Sequence, residues 1–146
     1  MRVFFDTNVL VYLFDADNET KKAMACSRFE AEASSAGRAL MSTQVLQEFY
    51  VSVTRKLSVP LAPETAEAIV RDFSLLPIVA IDTEKILAAI HRSRMLRLSF
   101  WDTLIIEAAL VGGADRLLTE DMQHGQMIEG LQIENPFLSI PQKLPT

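Results

Sequence analysis

"VFFDTNVLVYLFD", residues 3–15, decides how the chain is read. The run is apolar enough to be interior throughout, yet Asp6, Thr7 and Asn8 break it. "RVFF" (2–5) reads as a short buried strand, and Asn8 to about Asp15 as a helix. A polar triplet between them marks a strand-to-helix junction, where Asp6 can serve as an N-cap. Asp15, at the far end of the run, reads as a surface residue closing that helix.

The same alternation continues outward. Residues 18–35 read as a helix with Ala23, Met24, Phe29 and Ala33 as apolar members, ended by Gly37, and "RALMS" (38–42) as a second strand. From Thr43 to Leu57, Val45, Phe49, Val53 and Leu57 recur every four residues, which predicts a helix. Pro60 and Pro63 punctuate the next loop, and Pro63 suits the first turn of a helix running to about Leu76. "IVAI" (78–81) is a third strand; Asp82 can cap the helix after it, with Glu84 in the first turn. Residues 100–111 form an almost wholly apolar helix stopped by Gly112-Gly113, and "RLLT" (116–119) and "LQIEN" (131–135) supply the last two strands. Strands alternating with helices predict an α/β fold with a mainly parallel sheet covered on both faces. No linker or repeat divides the chain, so residues 1–146 read as one domain. The three prolines in residues 136–146 predict a tail running over the surface.

Bulk properties narrow the class. At 146 residues, 49% hydrophobic and 23% charged, the chain has an ordinary globular composition and can bury roughly two-thirds of its unfolded surface. No run approaches the ~18 apolar residues of a membrane span, and no signal-peptide pattern opens the sequence. The lone Cys26 cannot form an internal disulfide and stands at helical spacing among Ala23, Met24 and Phe29, so a core role and a reducing, cytoplasmic setting are expected. A net charge of −5 argues against a binder that presents a basic face to nucleic acid. Arg92, Arg94 and Arg97 crowd one stretch, for which a solvated helix end is the plain explanation.

In open α/β sheets, ligands bind outside the carboxyl ends of the strands. Asp6 follows the first strand, the second leads into the helix carrying Glu48, and the fourth is followed by Thr119, Glu120 and Asp121. Asp102 lies in the first turn of the 100–111 helix. Each acid has an ordinary explanation: Asp6 as a cap, Ser99-x-x-Asp102 as a capping-box spacing, Glu48 as a solvated helix edge, Asp121 as turn chemistry. Together they are harder to dismiss, because three border strongly apolar elements and no Lys or Arg adjoins Asp6 or Asp102. Clustered carboxylates are costly to bury without protons or cations, and a hard divalent ion such as Mg²⁺, with its oxygen ligands, would resolve the conflict. One cysteine and two distant histidines, His91 and His124, exclude a structural zinc pattern; a Walker loop and a G-x-S-x-G elbow are also missing. An oxygen-only acidic site suits metal-assisted phosphodiester hydrolysis. Two rivals fit worse. A phosphoryl-transfer hydrolase with an Asp nucleophile wants Asp-x-Asp where this chain has Asp6-Thr7-Asn8. A phospho-accepting signalling module wants adjacent acids after the first strand and a Lys after a late one, and neither "FFDTN" nor "RLLTED" supplies them.

"FFDTNVLVYLFD", "TQVLQEFY", "LSFWDTLIIEAAL" and "LLTEDMQHGQMIEGLQIENPF" in this order resemble the PIN-domain family, and within it the VapC-type toxins of bacterial toxin–antitoxin pairs. The resemblance runs from residue 2 to about 138. It implies about five parallel strands in a three-layer α/β/α sandwich. It also implies an Mg²⁺- or Mn²⁺-dependent ribonuclease that is inhibited by a cognate antitoxin and is usually a homodimer. On the family's pattern, Asp6, Glu48, Asp102 and Asp121 are the catalytic acids. Asp6 and Asp102 are the main metal ligands, Glu48 completes the set or acts through water, and Asp121 positions a second ion or a bridging water. Asn8 and Thr119 match polar positions that support the site by hydrogen bonding. Arg92, Arg94 and Arg97 then gain a reading as RNA-backbone contacts. Use of the fold chiefly for binding nucleic acid or a partner is the alternative.

Overall fold

The computed structural model describes residues 1–138. Its chain order is β1 (Val3–Phe5), α1 (Thr7–Tyr12), α2 (Glu19–Ala33), β2 (Ala39–Ser42), α3 (Thr43–Arg55), α4 (Pro63–Phe73), β3 (Ile78–Val79), α5 (Thr83–Leu96), α6 (Phe100–Val111), β4 (Arg116–Leu118), β5 (Met127–Ile128) and β6 (Leu131–Glu134). The six strands lie in the order β3-β2-β1-β4-β6-β5. All neighbours are parallel except β5 and β6. The sheet therefore grows one way from β1 through β2 to β3, then returns to add β4 on the other side of β1. That reversal opens a crevice at the carboxyl ends of β1 and β4.

Two helical layers complete a PIN-like α/β/α sandwich. α5 and α6 pack together, with α6 against the sheet, while α1, α3 and α4 pack together as a second group that α2 joins through α1. β1 is buried at every position, as a central parallel strand must be. Val45, Phe49 and Val53 are the fully buried stripe of α3. Five rings from both sheet and helices run edge to face, Phe5–Phe29–Phe73–Phe49–Phe14, with centroids 5.1–5.7 Å apart.

Several details depart from the sequence reading. In α2 Ala23 is exposed and Ala25 takes the interior position. Glu32 of the same helix is buried, gripped by Arg28 and Arg38. α4 stops at Phe73 rather than about Leu76. β3 is two residues long, because its partner β2 ends at Ser42, which turns to cap α3 through Val45 N–H. Beyond it Ile81 N–H bonds the Thr43 hydroxyl (3.1 Å) instead of a strand. The sixth strand comes from a tight hairpin whose two turn residues, Glu129 and Gly130, both have positive φ (48° and 89°), as a two-residue turn with right-handed strand twist requires. The tail does not simply run over the surface: Phe137 is buried and meets Tyr12 edge to face at 5.0 Å. The rest of the expected tail lies outside the described residues. No helix among the described residues is long and apolar enough to cross a membrane.

Candidate active site

The crevice predicted by strand order is where the acids collect. β1 ends at Phe5, so Asp6 falls on the junction. There it caps α1, and its Oδ1 accepts from Thr7 N–H (2.7 Å). β4 ends at Leu118, and Asp6 N–H continues the pairing onto the Leu118 carbonyl (3.0 Å). This register sets the Thr119 hydroxyl against Asp6 Oδ2 (2.8 Å). Asn8, the second residue of α1, ties the two loops together. Its amide donates to Asp121 Oδ2 (2.9 Å), Thr119 Oγ1 (3.2 Å) and, more weakly, Asp6 Oδ2 (3.4 Å), while its carbonyl accepts from Glu120 N–H (3.3 Å).

Glu48 comes from α3, one position before buried Phe49. Its Oε1 accepts from Thr7 Oγ1 (2.7 Å) and its Oε2 from Gln44 Nε2 (3.2 Å). Gln44 also donates to the Trp101 carbonyl (3.3 Å) and so joins α3 to the start of α6. Ser99 caps α6 through Asp102 N–H (3.1 Å), which leaves the Asp102 carboxylate in the first turn. Asp6, Glu48, Asp102 and Asp121 all line one open cavity of about 660 Å³. Asp6 is buried, Glu48 and Asp102 half-buried and Asp121 exposed. Among the described residues none of the four pairs with a Lys or Arg. Nor, among the described residues, are three or more His, Cys, Asp or Glu side chains grouped so as to hold a metal ion.

The acids feel one another. Burial pushes the Asp6 carboxyl up from 3.8 to about 7; the Thr119 and Thr7 hydrogen bonds pull the other way, and the charges of Glu48 and Asp121 push it further up. Asp102 is also raised, first by burial and then by Asp121 and Glu48, against a hydrogen bond from Ser99. A raised carboxyl binds its proton more tightly in the folded state. Its contribution to stability is complete below about pH 4 and is lost as pH rises to about 7. Relative to Asp6→Asn, metal-free wild-type protein in EDTA should therefore lose melting temperature from pH 4 to 7. The slope should flatten in Asp6→Asn, and equal slopes in thermal melts of the two proteins would contradict this account.

Asn8 and Thr119 both hydrogen-bond to Asp6 Oδ2. Other participants were not read from the sequence. Thr7 bridges Asp6 and Glu48, and its place between Asp6 and Asn8 was a usable signal. Gln44 is one helical turn before Glu48 on the same face. Asp15 lines the same cavity rather than plain surface. Glu120 is engaged by the Tyr12 hydroxyl (2.6 Å) and Lys21 (2.8 Å), which separates it from Asp121. The arginines lie elsewhere. Arg92 is held by Glu107 (2.6 Å) and Glu129 (2.5 Å), Arg94 and Arg97 are exposed, and none of the three lines the cavity.

A model of the PIN domain family matches residues 3–127. No curated protein matches by sequence. Solved structures do match by fold. The toxin-antitoxin complex from Klebsiella pneumoniae aligns at TM-score 0.67 and 19% identity, covering 92% of this chain and 97% of that one. DNA-bound VapBC from Salmonella typhimurium aligns at 0.64 and 23%, covering 93% and 98%. VapC20 of Mycobacterium tuberculosis, a sarcin-ricin loop cleaving toxin, aligns at 0.59 and 17%, covering 79% and 86%. The sheet order, the acids at its switch point and a family match over most of the length agree: the chain belongs to the PIN-domain family.

Proposed function

We propose that the protein is a divalent-metal-dependent endoribonuclease and the toxic component of a VapBC-type toxin–antitoxin pair. The observation that carries the reading is the convergence of four carboxylates, none neutralised by a basic side chain, on one cavity. The donor set suits Mg²⁺ or Mn²⁺, being all hard oxygen. Gln44 supports the fit. Its Oε1 is the one buried side-chain polar atom among the described residues without a hydrogen-bond partner, and it sits beside Glu48, where an ion's hydration water could donate to it.

In this reading Asp6 and Asp102 hold the cation, with help from Glu48 and Asp121. When bound, the ion supplies Lewis-acid activation of water and neutralises phosphate charge, which reconciles a net charge of −5 with an RNA substrate. The chain's own task is orientation. Thr7 and Gln44 fix both oxygens of Glu48, and Thr119 and Asn8 fix Asp6. Ser99 anchors the backbone of Asp102. The exposed Arg94 and Arg97 remain available to flanking phosphates, whereas Arg92 is engaged in holding α5 to α6 and to the β5–β6 turn. A cognate antitoxin would compete for the same cavity with a basic side chain, and the exposed apolar residues Ile86, Leu87 and Ile90 of α5 suit a homodimer.

The test is cleavage of single-stranded and structured RNA by partner-free protein, with Mg²⁺ and with EDTA. Cleavage that persists in EDTA would overturn the proposal. Asn8→Ala should lower the metal-dependent rate by about 10–100-fold, the usual cost of losing a group that orients ligands, and should shift the Mg²⁺ concentration for half-maximal activity upward. An unchanged Mg²⁺ dependence would remove Asn8 from that role.

A further inference from the structure

We propose that Trp101 is a stacking platform for an unpaired base of the nucleic acid whose phosphodiester enters the acidic cavity. The inference rests on the nuclease reading and adds to it a residue that contacts the substrate's bases. Trp101 is the residue before Asp102 and lines the same cavity, yet it is 61% exposed. A tryptophan this exposed forgoes most of the burial that usually places it in a core. Its position is nonetheless built. The ring packs edge to face on Phe100 with centroids 5.1 Å apart and planes at 74°. Its carbonyl accepts from Gln44, the amide that also holds Glu48. The backbone that carries the indole is thus tied to Glu48 through one side chain.

The occupant follows from what shares the cavity. One part is acidic and suits a phosphodiester through a cation. Other lining residues are apolar, Val11, Leu57 and Ile105 among them, and Lys56 is the one cationic side chain among the described residues that line the cavity, able to meet a neighbouring phosphate. A nucleotide strand combines these features: charged links at fixed spacing, with flat apolar faces between them. Stacking on an aromatic ring tolerates any base but requires that the base be unpaired. A protein segment covering the indole would account for its exposure but not for its covalent neighbour, a metal-site candidate.

Trp101 is the only tryptophan in the chain, so its fluorescence reports on this one position. The probe is a mixed-sequence pool of short single-stranded RNA, titrated in Mg²⁺ into the Asp102→Asn protein, with duplex RNA of the same length as the comparison. Single-stranded RNA should quench the emission saturably, and duplex should not. In otherwise wild-type protein, Trp101→Leu should raise KM for single-stranded RNA by about 5- to 100-fold, from the usual worth of one stacked base, with kcat little changed. Trp101→Phe should lie between. Silent fluorescence, equal quenching by duplex, or equal KM in all three proteins would overturn the stacking role while leaving a metal-dependent nuclease intact. If the variants cleave normally but escape inhibition by the partner protein, the indole is a protein contact. Absence of any RNA cleavage by wild type in Mg²⁺ or Mn²⁺ would instead remove the nuclease reading.

Discussion

Asp102→Asn is expected to lower Mg²⁺-dependent RNA cleavage by about 10²- to 10³-fold, the typical cost of deleting one group that stabilises charge in a reacting site. The substitution changes little else. Asp102 is half-buried at the start of α6 and pairs with no base, and the backbone N–H that Ser99 caps is unaffected. Asparagine keeps the shape and loses the anionic oxygen. The fold should change by less than about 1 kcal/mol, because a favourable charge in a first helical turn is offset by burial and by repulsion from Asp121 and Glu48, so thermal melts of the variant would separate lost chemistry from lost structure. Asp6→Asn should be as inactive, with the additional signature of a flattened stability profile between pH 4 and 7. Full activity in either variant would remove the metal-site assignment. An aspartyl-phosphate trapped on Asp6 would favour the Asp-nucleophile hydrolase instead.

Phe49→Ala should lower unfolding free energy by about 3–5 kcal/mol, the range for truncating a buried phenylalanine. Phe49 has no exposed surface, and its ring joins Phe14 (5.7 Å) to Phe73 (5.1 Å). Alanine removes the fourth ring of the five-ring row, so Phe14 is cut off from Phe73 and the helical group loses packing. Against a typical total of about 5–15 kcal/mol the loss is large. Urea titration should show a lower midpoint at an unchanged slope. Phe49 also seats the segment of α3 that carries Glu48, so residual activity should fall before global melting as temperature rises. A change below about 1 kcal/mol would mean that the ring row contributes little.

The sequence disclosed the parts of this molecule that depend on local pattern. Periodicity at Val45–Phe49–Val53 located α3, and the strand-then-acid step at Phe5–Asp6 located the crevice edge. Other features depended on tertiary partners that no local pattern shows. The β5–β6 hairpin was missed because its turn is Glu129-Gly130, with a glutamate where Asn or Asp would have signalled a turn of positive φ. The burial of Glu32 is not legible because, although Arg28 stands one helical turn before it, its second partner, Arg38, reaches it only once α2 closes on β2. Within the arginine stretch, Arg92 is engaged by partners of the same kind, Glu107 and Glu129, the latter in the hairpin that local pattern does not show. Gln44 and Thr7 carry no charge, so nothing singled them out before their hydrogen bonds were seen.

The bond between Thr119 and Asp6 joins residues 113 positions apart, and this separation bears on synthesis. Parallel pairing of β1 with β4 cannot begin until the later strand exists. A nascent chain emerging from the ribosome carries Asp6, Glu48 and then Asp102 before Thr119, which fixes Asp6, has been made. Asp121, the last of the set, follows the strand that completes the crevice. On the proposed nuclease reading, a site built this way assembles only after Asp121 has been made and has cleared the ribosome, so the order of the strands itself delays the activity relative to synthesis.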